Sequence, residues 1–168
     1  NNATLVVVGD VNPVAVLALA RRHFSPVPRR DVARSVSAQE PPQTAERRAR
    51  ISAPAEVPYL ILGYHVPVLA SDDKSYEPYA LDVLSAILGG GNSSRLAREL
   101  VREQKLAASA DAGYSPIARS PGMLMLDGSP ATGHTIDELE RALRAQVARL
   151  REQPVTAEEL NRVKAQVV

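Results

Sequence analysis

The chain has 168 residues, of which 45% are hydrophobic, and its 20 basic and 19 acidic side chains leave a formal net charge of +1. A chain of this size can bury roughly 70% of its unfolded surface around one core, so we expect a single domain over residues 1–168. The balanced charge and the 4% aromatic content argue against a nucleic-acid partner. No apolar run approaches the ~20 residues that span a bilayer.

Cysteine is absent, which excludes disulfides, thiolate zinc sites and cysteine catalysis. That absence is compatible with a reducing or an oxidising compartment, so both the cytoplasm and the periplasm stay open. The chain starts at Asn1 in a strand-like run and stops at Val168 in a helical pattern. We therefore expect a piece of a larger protein.

The first predicted elements form a strand, a turn and a helix. Residues 4–8 are apolar and mostly β-branched, which predicts a strand covered on both faces. Asn12 and Pro13 are suited to a helix start, and the helix should run to Phe24 with Leu17, Ala20 and Phe24 turned inward.

Residues 25–57 are rich in proline and arginine and lack a helical period. They predict an extended crossing segment whose arginines form a solvated face. Short apolar runs at residues 50–53 and 59–66 predict two strands.

A clear helical stripe follows at Ala80, Val83, Leu84, Ile87 and Leu88, and Gly89 should end that helix. Asn92 or Ser93 can cap a second helix, with Leu96 and Leu100 facing inward. Two antiparallel strands are then predicted at residues 106–114 and 122–127.

Thr135 with Glu138 and Thr156 with Glu159 have the spacing of capping boxes and predict the two final helices. The residues that we expect these helices to bury are Leu139, Leu143, Val147 and Leu150 in the first and Leu160, Val163 and Val167 in the second. The element order predicts an α+β fold, in which a mixed, largely antiparallel sheet is backed by helices on one side.

Few side chains have the spacing that catalysis or metal binding requires. The three histidines are His23, His65 and His134, and none lies three or four residues from another, as metal ligands on one helix do. We therefore expect no metal ligand and no catalytic residue in this chain. Ser93 and Ser94 lack the G-x-S-x-G arrangement of an exposed nucleophile.

Gly89, Gly90 and Gly91 are the remaining candidate for function. Successive glycines let a backbone approach a ligand closely, although a simple helix stop and turn is the favoured interpretation of a glycine cluster. Phosphate binding fits poorly because no G-x-x-x-x-G-K-[ST] motif is present. We expect that replacing Gly90 and Gly91 by alanine leaves folding nearly intact.

Several segments together resemble the pitrilysin or insulinase-type zinc peptidases and the mitochondrial processing peptidases. They are NNATLVVVGDV, NPVAVLALARRHFSPVP, PYLILGYHVP, LDVLSAILGGGNSSRLARELVREQKLAASADAGY and the closing VTAEELNRVKAQVV. The resemblance covers nearly the whole chain and is to the second domain of a half-molecule, as in bacterial zinc proteases.

The resemblance implies a parent enzyme whose zinc lies in a preceding domain, on an H-x-x-E-H motif and a later glutamate that this chain lacks. Two similar halves, or a partner subunit, would enclose a chamber in which a peptide is cleaved. It also implies substrate contact by the glycine-rich segment, for which the candidates here are Gly89, Gly90, Gly91, Asn92, Arg95 and Arg102.

In active members of the resembled family, the opposite half supplies an arginine and a tyrosine seven residues apart. Arg102 matches the arginine, but the segment is one residue shorter and Ala108 occupies the tyrosine position. An alanine cannot donate the corresponding hydrogen bond. The domain is thus expected to belong to the zinc-bearing half of a metalloendopeptidase, or else to a non-catalytic paralogue that serves as a partner or scaffold subunit.

Overall fold

The computed structural model describes residues 3–31, 41–69, 74–118 and 122–167, without the side chain of Val167. The chain groups into two compact units, Asn1–Glu46 and Arg47–Val168, and each is treated by itself below. The single domain expected over residues 1–168 stays a prediction.

The first unit contains helix α1, Pro13–Phe24, as predicted. Its N-cap is Asn12, whose side-chain oxygen accepts hydrogen bonds from the amides of Val14 and Ala15 at 3.0 and 3.3 Å. The helix begins here because this oxygen satisfies two amides that the first turn leaves unpaired.

Two predictions for the first unit are wrong. Residues 4–8 do not form a strand, and Leu17 and Phe24 are exposed rather than inward. The physical reason is the same for both, since a strand needs a ladder partner and an apolar face needs a covering surface. Among the described residues of this unit, neither is present.

The predicted crossing segment spans both units. Its residues 32–40 lie outside the described residues, and residues 41–59 have no regular secondary structure. The strand expected at residues 50–53 is therefore wrong, because these residues do not join the sheet of the second unit.

The second unit has an antiparallel sheet with strand order β1-β3-β2, formed by Leu60–Val66, Ala107–Gly113 and Gly122–Pro130 as β1, β2 and β3. Its helices are α2, Glu77–Gly89; α3, Ile136–Glu152; and α4, Ala157–Val167. A π-helical segment, Ala97–Glu103, precedes β2. The predicted α+β class is confirmed.

One face of the sheet packs against the helices, and the core cluster lies between them. Burial alternates along β3, with Leu124 and Leu126 inside. The fully buried leucines that meet them from the helical layer are Leu88, Leu96, Leu100, Leu139 and Leu143. All lie on one side of the sheet, so its other face carries no helix from the described residues of the second unit.

The first predicted capping box is confirmed in full and the second only in part. At Thr135 the hydroxyl accepts from the Glu138 amide at 3.2 Å and the Glu138 carboxylate accepts from the Thr135 amide at 2.7 Å. At Thr156 the hydroxyl accepts from the Glu159 amide at 3.2 Å, while the Glu159 carboxylate binds Arg95. The second pair thus couples a helix start to a distant segment.

Candidate functional site

The candidate site is the glycine loop, which comprises residues 89–95. It begins at the last residue of α2 and leads into the π-helical segment. Its middle, residues 90–93, is exposed, whereas residues 87–89 and 94–96 on either side are buried. The loop therefore has a short exposed tip between two buried ends.

The first glycine of the loop is required by packing. A Cβ at Gly89 would lie 2.0 Å from the Ala112 amide nitrogen and 2.5 Å from the Ala112 carbonyl oxygen, both in β2. The end of α2 therefore touches the sheet backbone directly, and only glycine permits that approach.

The next two glycines serve the turn itself. A Cβ at Gly90 would lie 2.5 Å from the carbonyl oxygen of Ala86. Gly91 has φ +99°, in a region that other residues rarely adopt, yet open space surrounds it. The expectation that alanine at Gly90 and Gly91 leaves folding nearly intact is therefore wrong, because it assumed ordinary dihedrals and free space at both positions.

The cap of the following helical turn is Ser94, not Asn92 or Ser93. The Ser94 hydroxyl accepts from the Ala97 amide at 3.4 Å, and its own amide donates to the Gly91 carbonyl at 3.0 Å. The turn of three glycines delays the start of the helix by one or two residues. Three of the candidate residues consequently remain in the exposed tip, Gly90, Gly91 and Asn92.

Two guanidinium groups brace the exposed tip. Arg102 donates from Nη1 to the backbone carbonyl of Asn92, and Arg162 donates from Nη1 to the Ser93 hydroxyl at 2.7 Å. Arg102 is exposed, so the site combines a bare glycine backbone, a polar loop and an accessible cation. No local sequence motif predicts the contact from Arg162, because it depends on α4 packing against the loop.

Arg95 is positioned differently from the other candidates. Its side chain is 9% exposed and forms a two-pronged ion pair with Glu159, with Nε to Oε1 at 2.9 Å and Nη2 to Oε2 at 2.6 Å. The hydrogen bonds from Arg95 lower the pKa of Glu159, against the opposing effect of burial. This pair joins the buried end of the loop to α4.

A second cluster of polar side chains surrounds the buried Glu99, which follows the loop in sequence. Its carboxylate accepts from Gln146 at 2.7 Å and from Arg149 at 2.6 and 3.1 Å, and it also accepts from Arg98 at 3.1 Å. Burial acts to raise the pKa of Glu99, but these hydrogen bonds outweigh it and the pKa is lowered. The cluster ties the π-helical segment to α3.

Ala108 is the extra residue of a β-bulge in β2. The pairing with β3 shifts register between Ala107 and Ser109, and Ala108 is exposed. Bulges of this kind redirect side chains and occur often beside active sites. The position that would hold a tyrosine in the resembled peptidases is thus accessible but has no hydroxyl.

The histidines do not come together. His65 lies on β1, His23 on α1 and His134 just before α3, where it faces Glu138 at 3.5 Å. Within the described ranges, no group of three or more His, Asp or Glu side chains is arranged to hold a metal ion. No helix of the described chain is both long and apolar enough to cross a bilayer.

The fold places the chain in the class of α+β domains with an antiparallel sheet, and comparison with known proteins identifies the family. Residues 1–167 match the model of the peptidase M16 inactive domain. The chain belongs to this family, as the resemblance predicted.

A zinc protease, PqqE, of Helicobacter pylori is 30% identical over 166 residues, which are 97% of this chain and 36% of that protein. The crystal structure of a protease from Helicobacter pylori has a TM-score of 0.76 at 27% identity, and the match covers 95% of this chain and 38% of that one. A peptidase M16 inactive domain from Pseudomonas fluorescens shares the fold, with a TM-score of 0.55 at 22% identity over 65% of this chain and 25% of its own.

These matches show which part of its relatives the chain corresponds to. It spans 36% of the length of the curated relative and corresponds to a non-catalytic domain of a zinc protease family. Zinc belongs to the parent enzyme family, and a half-molecule of this kind implies a partner domain.

Proposed function

We propose that this domain forms part of the wall of a substrate chamber in a zinc metalloendopeptidase that cleaves peptides or unfolded segments. The preceding domain would hold the zinc, and the opposite half or a partner subunit would close the chamber. The observation that carries the proposal is the glycine loop, whose exposed tip at residues 90–93 is anchored at both ends.

The loop has the chemistry needed to contact an extended peptide. Gly91 leaves its backbone uncovered, since no heavy atom lies within 4 Å of a Cβ placed there. Arg102 supplies a cation at the Asn92 carbonyl and can bind a peptide carbonyl or carboxylate. In this proposal Gly90, Gly91, Asn92 and Arg102 touch substrate, and Gly89 and Arg95 hold the loop in place.

An exposed apolar run in the first unit supports the proposal that a neighbouring domain is a partner. Leu5, Val6, Val7 and Val8 form an exposed apolar run, with Val8 92% exposed. A contiguous apolar patch of this kind is typical of a surface that another domain covers. In the intact protein, the preceding domain would pair with this run as a further strand.

The alternative is a non-catalytic paralogue that acts as a partner or scaffold subunit. Ala108 is compatible with this alternative as well as with the zinc-bearing half, since an exposed alanine stands where the opposite half of the resembled peptidases carries tyrosine. The sequence that precedes Asn1 in the intact protein distinguishes the two, because an H-x-x-E-H motif there supports the enzyme and its absence supports the scaffold.

We expect Arg102→Gln in the full-length protein to lower kcat/KM for a peptide by about tenfold, which is the effect of one lost hydrogen bond to a charged group. The melting temperature should change little, because Arg102 is exposed. Hydrolysis of a quenched fluorescent peptide and a thermal melt measure the two effects.

The matched control is Arg141→Gln, which removes an exposed arginine that, among the described residues, donates only to the Asp137 carbonyl of its own helix, at 3.2 Å. It should leave both quantities unchanged. If Arg102→Gln and Arg141→Gln have the same turnover as the unsubstituted protein, the loop does not contact substrate through Arg102.

A further inference from the structure

The sheet face that carries no helix holds an unusual set of side chains. Burial alternates along β1 and β3. The positions on the uncovered face are Ile61, Gly63 and His65 of β1 and Met123 and Met125 of β3. The chain has two methionines in total, and both lie on this face, two residues apart on one strand. Met123 is 42% exposed, and His65 is exposed.

Strand register brings the three polar or sulfur-bearing side chains together. His65 pairs directly with Met123, and Gly63 pairs with Met125. Directly opposed residues on one face of an antiparallel pair have Cβ atoms about 4.5 to 5.5 Å apart. The imidazole and both thioethers therefore lie within reach of a common point.

Gly63 provides the space in which the thioethers meet. A Cβ at Gly63 would lie 2.2 Å from Met123 Cε, 3.8 Å from Met123 Sδ and 3.9 Å from Met125 Sδ. Both sulfur atoms are thus within 4 Å of one point above the Gly63 backbone. Any other residue at position 63 would occupy that point.

We infer that His65, Met123 and Met125 form a binding site for a soft monovalent cation such as Cu(I). Thioether sulfur selects Cu(I), and imidazole nitrogen binds copper as well. Such a set of uncharged ligands, two of them sulfur, does not suit Ca²⁺ or Mg²⁺, which take oxygen. Methionine has three rotatable side-chain bonds, so both sulfur atoms can turn toward a bound ion.

The surroundings favour a cation and leave the ligands available. Asp127 follows Met125 on the same face, and Asp111 pairs with Asp127 from β2, which adds negative charge at one edge of the site. In the described part of the chain, no hydrogen bond or ion pair involves the His65 ring. The site is separate from the glycine loop, and it does not depend on the proposed peptidase function.

The test is titration of the full-length protein with Ag(I), which mimics Cu(I) without redox chemistry, in chloride-free buffer, followed by anaerobic Cu(I) competition against bicinchoninate. The unsubstituted protein should bind one more equivalent than Met123→Leu/Met125→Leu, which keeps the shape and removes both sulfurs. His65→Gln should weaken binding by about tenfold or more, since even ligand-supporting residues contribute that much. His134→Gln is the matched control and should bind as the unsubstituted protein does.

Circular dichroism melts verify that each variant is folded, and the zinc content should be equal in all of them. Equal Ag(I) stoichiometry and affinity in the double methionine variant and the unsubstituted protein would overturn the site. Undiminished binding by His65→Gln would overturn the three-ligand assignment.

Discussion

Replacing Gly89 by alanine is expected to lower the free energy of unfolding by about 3 kcal/mol, the upper end of what overpacking of a tight interior costs. The new methyl group would lie 2.0 Å from the Ala112 amide nitrogen, so α2 must move away from β2. That movement opens the core at Leu88, which is 1% exposed. Chemical denaturation with a circular dichroism readout measures the change.

Alanine substitutions at two other glycines serve as controls for this result. Gly113 is in β2, has nothing within 4 Å of its Cβ position and lacks a positive φ, so Gly113→Ala should be neutral or slightly stabilising. Gly91→Ala should cost about 1 kcal/mol from its positive φ alone. If Gly89→Ala is no more destabilising than Gly91→Ala, the close contact between α2 and β2 is absent in solution.

The second large effect concerns the ion pair between Arg95 and Glu159. Arg95→Met should destabilise the fold by about 3 kcal/mol, because it leaves a carboxylate that is 14% exposed without its partner. The double variant Arg95→Met/Glu159→Met should recover most of that loss, since apolar side chains of similar size often replace a buried ion pair without cost. A double-mutant cycle from denaturation curves gives the coupling between the two positions.

The same pair predicts a pH dependence. Arg95 lowers the pKa of Glu159 in the folded protein, so the folded state holds fewer protons at this site than the unfolded state does as the pH falls. Its contribution to stability is therefore present above the unfolded pKa of about 4.3 and is lost as the pH falls through the lower folded value. Between pH 6 and pH 3 the double variant should lose less stability than the unsubstituted protein, and equal losses would contradict the pairing.

Local sequence signals predicted the elements that local interactions determine. Asn12 and Thr135 mark helix starts that the structure contains, since each cap acts within three residues of itself. The apolar stripe that includes Leu84 and Leu88 predicted α2, because a helix needs only one covered face. The hairpin strands were likewise found to within three residues of their ends.

The errors occur where a distant segment decides the outcome. Residues 4–8 have the composition of a buried strand, but they lie in the first unit, and the sheet of the second unit, Arg47–Val168, forms without them. Glu159 has the spacing of a capping-box residue, yet its carboxylate binds Arg95, which is 64 residues away in sequence. No local pattern contains information about that partner.

For the candidate site, sequence identified the loop but not the roles within it. The triglycine and Arg95 were grouped together as substrate contacts because this segment resembles the glycine-rich loop that contacts substrate in the processing peptidases. The structure separates them, since Arg95 is buried at the end of the loop, where it pairs with Glu159 of α4, while Gly91 and Asn92 are exposed. Substrate contact by this loop stays a prediction, as does the identity of the peptide.

The central claim is that this domain lacks zinc ligands and works within a protein that uses zinc to cleave peptides. The most direct measurement is zinc content, together with peptide hydrolysis, of the full-length protein in which His23, His65 and His134 are all replaced by glutamine. We predict one zinc per chain and unchanged, chelator-sensitive cleavage, because the ligands lie in the preceding domain. Loss of zinc with the three histidines would contradict the account, and a full-length protein that holds no zinc before any substitution would instead identify the scaffold paralogue.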